Sequence, residues 1–189
     1  MHTEYNWFEN PETGETPASF LELVETVLKP LNPEGVTNVK RESESKEYGA
    51  ITFTFNGQNC LFRQAKTTPT KVEQFVTLWK RKTETSEIAP FDTLDGIELV
   101  FIASFDFTNK GFFIFPNDLL GKKAVFTHNG REGKRAMRVY APWITPTVKQ
   151  AISTQKWHTS VFINFKLGAE LSLSKSRRLI QKNANLQLF

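Results

Sequence analysis

Hydrophobic and polar positions recur at two spacings along the chain, and these spacings predict where its helices and strands lie. Apolar residues between 20 and 28 follow the i, i+3, i+4, i+7 pattern of an amphipathic helix. We expect Ser19 and Glu22 to form a capping box at its start, and Pro30 and Pro33 to end it. Residues 48–55 instead alternate large apolar side chains with threonines, which predicts a strand.

A hairpin is the clearest local signal in the sequence. Asn56-Gly57 suits a two-residue type I′ turn, which needs two positive φ angles. Such a turn fixes the register of the strands that it joins. The predicted pairing runs from Phe55 opposite Gln58 to Glu47 opposite Lys66. Glu47 and Lys66 should then lie on one face at the open end of the hairpin.

The rest of the chain predicts further elements of both types. They are a helix at 71–82 with Val72, Phe75, Val76 and Trp79 on its apolar stripe, a strand at 97–107, a strand at 112–115, short strands at 122–127 and 135–141, a helix at 146–157 that could extend to 165, and a basic final helix at 171–187. Mixed strands and helices indicate an α/β (α+β) fold. We predict one domain at residues 19–168, an arm at 1–18 and a basic tail at 169–189.

Charge is distributed unevenly along the chain. The net charge is +4, yet residues 1–28 hold six glutamates and no Lys or Arg, so residues 29–189 carry +10. A body this basic suggests a polyanionic partner. Cys60 is the only cysteine in the sequence, so no intrachain disulfide can form, and a cytoplasmic location is expected. No apolar run is long enough for a membrane span, so a lipid partner is not expected. The sequence does not indicate an oligomeric state.

The open end of the hairpin is a candidate catalytic site. An acid on one strand and the pair Gln64 and Lys66 on the next resemble the arrangement in metal-dependent phosphodiesterases. In such a site Glu47 and Gln64 would hold Mg²⁺ or Mn²⁺, and Lys66 would position the attacking water. The alternative interpretation is a structural ion pair between Glu47 and Lys66. Gln64 weakens the catalytic interpretation, because an amide oxygen is a poorer Mg²⁺ ligand than a carboxylate.

Cationic and aromatic residues together predict a nucleic-acid interface. Glycines flank Arg131-Glu132, so this loop could approach a backbone closely, and Gly133 to Arg135 could offer an amide and two cations to a phosphate. Aromatic rings between cations suit stacked bases and neutralised phosphates. The predicted interface consists of Lys71, Lys80, Arg81, Arg131, Lys134, Arg135, Arg138, Tyr140 and Trp143. The same residues could instead be packed rings and solvated surface charges.

Five segments together resemble the MepB family of bacterial proteins. They are RQAKTTPTKVEQFVTLWKR at 63–81, IAPFD at 88–92, FFIFP at 112–116, GKRAMRVYAPW at 133–143 and QAISTQKW at 150–157. The resemblance implies a restriction endonuclease-like fold, with a mixed central β-sheet flanked by helices. It also implies that Lys66 matches the lysine of the PD-(D/E)xK nuclease signature. Gln64 stands where that signature has an acid.

Three functions remain open from the sequence. We expect first a nucleic-acid-binding protein, for DNA or RNA with a slight preference for single strands, on an endonuclease-like scaffold with a degenerate site. The second is an active Mg²⁺- or Mn²⁺-dependent nuclease. The third is a small-molecule or protein-binding factor linked to drug resistance, because the resembled family is named for its occurrence beside a multidrug efflux system. His2, His128 and His158 lack the spacing of a zinc site, and His128 is expected in an exposed loop.

Overall fold

The computed structural model describes residues 9–10, 14–165 and 168–184. Most of the predicted arm at 1–18, and the end of the final helix beyond 184, lie outside this part of the chain. The described elements are, in chain order, β1 (Glu9–Asn10), β2 (Gly14–Glu15), α1 (Ala18–Leu23), a π-helical turn (Val24–Leu28), α2 (Lys29–Leu31), β3 (Val36–Arg41), a 3₁₀ turn (Lys46–Tyr48), β4 (Ile51–Phe55), β5 (Gln58–Gln64), β6 (Lys66–Thr67), β7 (Gln74–Thr77), β8 (Trp79–Lys80), β9 (Ala89–Pro90), β10 (Leu99–Phe105), β11 (Lys110–Pro116), α3 (Asn117–Lys122), β12 (Ala136–Val139), α4 (Lys149–Ser160), β13 (Phe162–Ile163) and α5 (Ala169–Ala184).

A mixed sheet forms the centre of the molecule. Within the described residues its strand order is β13-β11-β10-β5-β4-β3, and β5 and β10 pair in parallel while the other neighbours are antiparallel. The expected fold class, a mixed central sheet flanked by helices in one domain, is confirmed. Strand β10 is buried on both faces, which explains its apolar run from Leu99 to Ala103.

The two faces of this sheet are covered by different elements. Phe101 on one face belongs to the cluster that contains Phe20 of α1 and Ile180 of α5. Val100 on the opposite face belongs to a second cluster, which contains Val76. Val76 lies in a smaller sheet of order β12-β7-β6 that covers this second face.

The hairpin is confirmed only as far as residue 51. Asn56 and Gly57 have φ angles of 51° and 79°, as the predicted turn requires. The register places Phe55 opposite Gln58 and ends with Ile51 opposite Phe62. The predicted pairing of Glu47 with Lys66 is wrong, because residues 46–48 form the 3₁₀ turn while Lys66 pairs with Phe75 of β7.

The helix predicted at 71–82 is also wrong, because this segment forms β7 and β8. The four apolar residues of its proposed stripe do not share a buried face. Val72 is 65% exposed, whereas Val76 is fully buried between the two sheets. Strand β7 pairs with β6 on one side and with β12 on the other, so its backbone N–H and C=O groups find hydrogen-bond partners in the sheet. These pairings outweigh the helical spacing of its apolar residues.

The strand predicted at 122–127 is also wrong, because this segment forms the end of α3 and a loop. Val125 is nevertheless buried in the core, and its backbone N–H donates to the carbonyl of Leu120 over 2.9 Å. An apolar run that is buried as a loop cannot be distinguished from a short strand by its spacing. The predicted strand at 135–141 contains β12, the predicted helix at 146–157 corresponds to α4, and α4 ends before β13 rather than reaching residue 165.

The start of the domain corrects two further predictions. Ser19 does not cap α1; its hydroxyl donates to the side-chain oxygen of Gln64 over 2.7 Å. Pro30 does not end the helical segment, because it lies in the first turn of α2, where a missing N–H is tolerated. The helical segment ends at Leu31, and the chain becomes extended at Asn32, so the predicted stop at Pro33 is confirmed. Strand β3 has no counterpart among the predicted elements.

Gln74 connects the two sheets. Its side-chain nitrogen donates to the carbonyl of Phe105 over 2.7 Å and to the hydroxyl of Thr67 over 3.1 Å. Its side-chain oxygen accepts from the hydroxyl of Ser104 over 2.7 Å. Gln74 is 5% exposed, so water cannot easily replace these partners.

The substitution Gln74→Leu is expected to lower the free energy of unfolding by about 2 kcal/mol, because it leaves buried groups on β10 without partners. Urea unfolding followed by circular dichroism measures this loss. Gln150→Leu, at an exposed position of α4, is the matched control and should remain within about 0.5 kcal/mol of the wild-type protein. Equal stabilities for the two variants would contradict the proposed role of Gln74.

Candidate nucleic-acid interface

A cleft of about 900 Å³ opens between the small sheet and α4. One wall consists of the segment before β7 together with β12. The opposite wall is the side of α4 that carries Gln150, Thr154, Trp157 and His158, residues that recur at helical spacing. Antiparallel pairing of β7 with β12 holds the first wall together, so regular secondary structure frames both walls.

Positive charge predominates around this cleft. Four cations line it, namely Lys71, Lys123, Lys134 and Arg138, against the single carboxylate of Glu73. Arg138 pairs with Glu73 at 2.9 Å. The three lysines have no carboxylate within 4.0 Å among the described residues. The cleft therefore presents uncompensated positive charge, which favours an anionic ligand.

Aromatic rings lie beside these cations. The ammonium group of Lys123 is 5.7 Å from the centre of the Trp157 ring. Tyr140 and Trp157 both line the cleft and are both half-buried, so part of each ring faces solvent. Rings and cations in one cleft match the two chemistries of a nucleotide, the flat base and the charged phosphate.

His158 is fully buried and lines the cleft on α4. Burial lowers its pKa to about 3, so the ring is neutral at pH 7. Its Nδ1 accepts a hydrogen bond from the backbone N–H of Tyr140 over 3.1 Å. A neutral ring that accepts at Nδ1 carries its proton on Nε2. Nε2 is buried without a hydrogen-bond partner among the described residues, and a buried group of this kind costs about 1–3 kcal/mol.

A row of side chains crosses the small sheet next to the cleft. The strand register places Lys66, Phe75 and Arg138 side by side on β6, β7 and β12. Tyr48 packs edge-on against Phe75 with 6.2 Å between ring centres, and the Lys66 ammonium lies 5.0 Å from the Tyr48 ring. Burial and the neighbouring Glu47 raise the pKa of Tyr48. Cations and rings thus continue beyond the cleft.

The residues predicted as catalytic do not form a metal site. Glu47 is exposed in the 3₁₀ turn, and the side-chain oxygen of Gln64 already accepts from Ser19. Lys66 is also exposed and lies against Tyr48. No group of three or more His, Cys, Asp or Glu side chains in the described part of the chain could hold a metal ion. This arrangement does not fit Mg²⁺ or Mn²⁺, which prefer several oxygen ligands.

The predicted interface residues divide into two groups. Lys71, Lys134, Arg138 and Tyr140 are brought together at the cleft. The remaining five, Lys80, Arg81, Arg131, Arg135 and Trp143, do not line it.

Most of this second group makes contacts within the protein. Lys80 pairs with Asp95, Arg81 pairs with Glu44 at 3.0 Å, and Arg135 pairs with Glu132 at 3.0 Å. Trp143 packs against Phe162 with 5.4 Å between ring centres. Arg131 is exposed in a loop, where its backbone pairs with that of His128. His128 is exposed, as the sequence predicted.

Gly133 approaches the chain's own backbone, and the backbone amides of Gly133 and Lys134 are not free for a phosphate. The N–H of Gly133 donates to the hydroxyl of Thr127, and the N–H of Lys134 donates to the carbonyl of Val125 over 2.8 Å. A Cβ at Gly133 would lie 2.4 Å from that carbonyl oxygen, so only glycine fits there. The predicted use of these amides for anion binding is wrong.

Three important residues were missed from the sequence. Lys123 falls within the strand predicted at 122–127, although its neighbour Lys122 is also a cation. His158 follows directly after the predicted helix at 146–157, in the segment to which that helix could extend, and its spacing from the other histidines indicates no site. Arg63 is 1% exposed near the end of β5 and pairs with Glu42 at 2.8 Å. A lone arginine within a run of buried apolar residues could have indicated such a pair.

Comparisons with known proteins identify the family. The MepB-like family model matches residues 42–164. A crystal structure of MepB is 33% identical in sequence, with a TM-score of 0.66, and the match covers 79% of this chain and 97% of that one. The chain belongs to the MepB-like family. A search of curated proteins finds no match. In the described part of the chain, no helix is long and apolar enough to span a membrane.

Proposed function

We propose that this protein binds nucleic acid in the cleft between the small sheet and α4. The observation that carries the proposal is the group of three lysines without carboxylate partners, Lys71, Lys123 and Lys134, around a cleft that also exposes aromatic rings. Lysines without acidic partners can neutralise phosphates without first breaking an ion pair. The arrangement of the cleft supports binding of the backbone by the lysines and of the bases by the rings.

Single strands fit this cleft better than a duplex. In a duplex the flat faces of the bases are covered by their neighbours, so rings inside a cleft cannot stack on them. A single strand can turn its bases toward Tyr140 and Trp157 while its phosphates remain near the lysines. DNA and RNA share these features, and both are included in the test below.

The variant Lys71→Glu/Lys134→Glu is expected to bind a fluorescent single-stranded oligonucleotide at least about tenfold more weakly than the wild-type protein in 0.15 M salt, because two phosphate contacts are lost. Fluorescence anisotropy measures the affinity. The dependence of log K on log salt should fall by about 1.4, since each phosphate contact to a single strand contributes about 0.7.

A matched control reverses the same number of charges outside the cleft. Lys29→Glu/Lys40→Glu changes the net charge equally, but Lys29 lies on α2 and Lys40 on β3. This control should retain wild-type affinity. Equal losses in both double variants would mean that net charge alone attracts the oligonucleotide. Absent or salt-independent binding by the wild-type protein would contradict the proposed function and favour a small-molecule or protein ligand.

Binding without cleavage is the form of this function that the site supports, because Glu47 and Gln64 do not assemble a metal site. We expect no Lys66-dependent cutting when the protein is incubated with labelled DNA or RNA and Mg²⁺, Mn²⁺ or EDTA, with the products separated on a gel. Lys66→Ala should fold normally and lose only an exposed cation–π contact of about 0.5–1 kcal/mol. Metal-dependent cutting by the wild-type protein that disappears in Lys66→Ala would establish the nuclease alternative.

A further inference from the structure

We infer that a single strand bound in the cleft continues across the outer face of the small sheet to a second subsite, where Tyr48 stacks on a base and Lys66 binds a phosphate. This inference rests on the proposed function and specifies its ligand as a strand long enough to occupy both places. The cleft and the second subsite meet at Phe75, which lines the cleft and packs against Tyr48.

The outer face of the small sheet carries one continuous row of side chains. Paired residues of antiparallel strands share a face, so the register puts Lys66, Phe75 and Arg138 on the same side of β6, β7 and β12. This side points away from the core, because the adjacent residues Val76 and Met137 point the other way and are buried. Phe75 and Arg138 line the cleft whereas Lys66 does not, so the row extends beyond the cleft.

Tyr48 supplies an aromatic ring at the far end of this row. It is half-buried at the end of the 3₁₀ turn, so part of its ring faces solvent, and it packs edge-on against Phe75 with 6.2 Å between ring centres. The ammonium group of the exposed Lys66 lies 5.0 Å from the centre of the Tyr48 ring. A cation–π contact at an exposed site is weak. A base can therefore replace the ammonium group over the ring, while that group moves to the adjacent phosphate.

The charge along this row favours phosphates. Lys66 has no carboxylate within 4.0 Å among the described residues. Arg138 pairs with Glu73, yet its side chain remains 42% exposed, and a guanidinium carries further N–H donors. Glu47 is exposed on the same turn as Tyr48, so water and salt screen its charge. A cation therefore lies on each side of Phe75, which suits a backbone that crosses the row.

The width of the small sheet sets the length of strand that the second subsite requires. Neighbouring strands of a sheet lie about 4.8 Å apart, so β6 and β12 are separated by about 10 Å. One strand of nucleic acid advances by about 3.4 Å per nucleotide when its bases are stacked, so the row spans at most about three nucleotides. A strand that fills both places is therefore longer than a strand held in the cleft alone.

Anisotropy competition with single-stranded oligothymidylates of increasing length, from about 2 to about 12 nucleotides, tests this inference on the full-length protein. Tyr48→Leu keeps an apolar side chain against Phe75 but removes the ring, whereas Tyr48→Phe keeps the ring and removes only the hydroxyl. Lys66→Gln removes the charge of the second subsite. Lys40→Gln is the matched control, because Lys40 is also exposed but lies on β3 in the central sheet.

We expect the affinity of the wild-type protein to rise with strand length and to level off once both places are filled. For the longest strand, Tyr48→Leu and Lys66→Gln should each bind at least about fivefold more weakly, the loss expected for one stacked base or one phosphate contact. Tyr48→Phe and Lys40→Gln should match the wild-type protein. For the shortest strand all five proteins should bind alike, because it cannot reach from the cleft to Tyr48.

Other results would overturn the inference, and they separate it from the proposed function. If Tyr48→Leu and Lys66→Gln bind the longest strand as the wild-type protein does, the second subsite is wrong and the cleft alone binds the strand. A loss in only one of these variants would overturn the role of the other residue. If both variants weaken strands of every length equally, Tyr48 and Lys66 act on the cleft through Phe75 and form no separate subsite. If the wild-type protein binds no strand of any length, the proposed function fails together with the second subsite.

Discussion

The variant Glu42→Leu is expected to lose about 3–5 kcal/mol of the free energy of unfolding, the cost of leaving a buried charge without its partner. The guanidinium Nη2 of Arg63 lies 2.8 Å from a carboxylate oxygen of Glu42, and the Arg63 side chain is 2% exposed. Its Nη1 donates to the carbonyl of Phe62 over 2.8 Å. Burial lowers the pKa of Arg63 and Glu42 opposes that shift, but arginine remains charged near neutral pH.

The two partners of this pair are not equivalent. Glu42 has a side chain that is 28% exposed, so it can reach water if Arg63 is removed. Arg63 lies inside the molecule and cannot reach water. Arg63→Met should therefore cost less, about 1–2 kcal/mol, and adding Arg63→Met to Glu42→Leu should recover part of the stability that Glu42→Leu loses.

Urea unfolding of the four proteins in this cycle measures the coupling. Glu44→Leu is the matched control, because Glu44 pairs with Arg81 at a partly exposed site where an ion pair contributes about 0–1 kcal/mol. If Glu42→Leu were no less stable than Glu44→Leu, the buried guanidinium would not depend on its partner. A double variant less stable than Glu42→Leu would contradict the asymmetry.

The sequence predicted the parts of the fold that depend on local chemistry. Asn56-Gly57 determines its turn through backbone conformation, so the hairpin and its first pairings were found. The segment at 71–82 was mistaken because its apolar spacing suits a helix, whereas the neighbouring strands β6 and β12 decide its conformation. Strand β12 is distant in sequence, and β6 is only two residues long. No short-range pattern therefore reveals these pairings.

The candidate site was predictable to a similar extent. Lys71, Lys134, Arg138 and Tyr140 were identified from composition, and the fold brings them to one cleft. Composition could not separate them from Lys80 and the other cations that pair within the protein. Glu47 does not pair with Lys66, because residues 46–48 form a turn and β4 begins only at residue 51. A register argument cannot detect where a strand begins.

Acidification from pH 7 to 4.5 is expected to cost the wild-type protein roughly 2.5 kcal/mol of stability through His158 alone. An unfolded histidine has a pKa of about 6.5, whereas burial lowers the pKa of His158 to about 3. Between these values the unfolded chain binds a proton that the folded protein does not bind. Stability therefore rises with pH in this window and is lost as the pH falls below about 6.5, by up to about 1.4 kcal/mol per pH unit.

The rings around His158 give it no compensating charge. Phe113, Phe115 and Trp157 do not titrate, and burial raises the pKa of Tyr140, which stays neutral throughout this range.

Urea unfolding of the wild-type protein and His158→Phe at several pH values isolates the effect, because the carboxylates titrate equally in both. His158→Phe should show a shallower pH dependence even if it is less stable at pH 7. Parallel curves for wild type and His158→Phe would mean that burial does not lower the pKa of His158 in the folded protein.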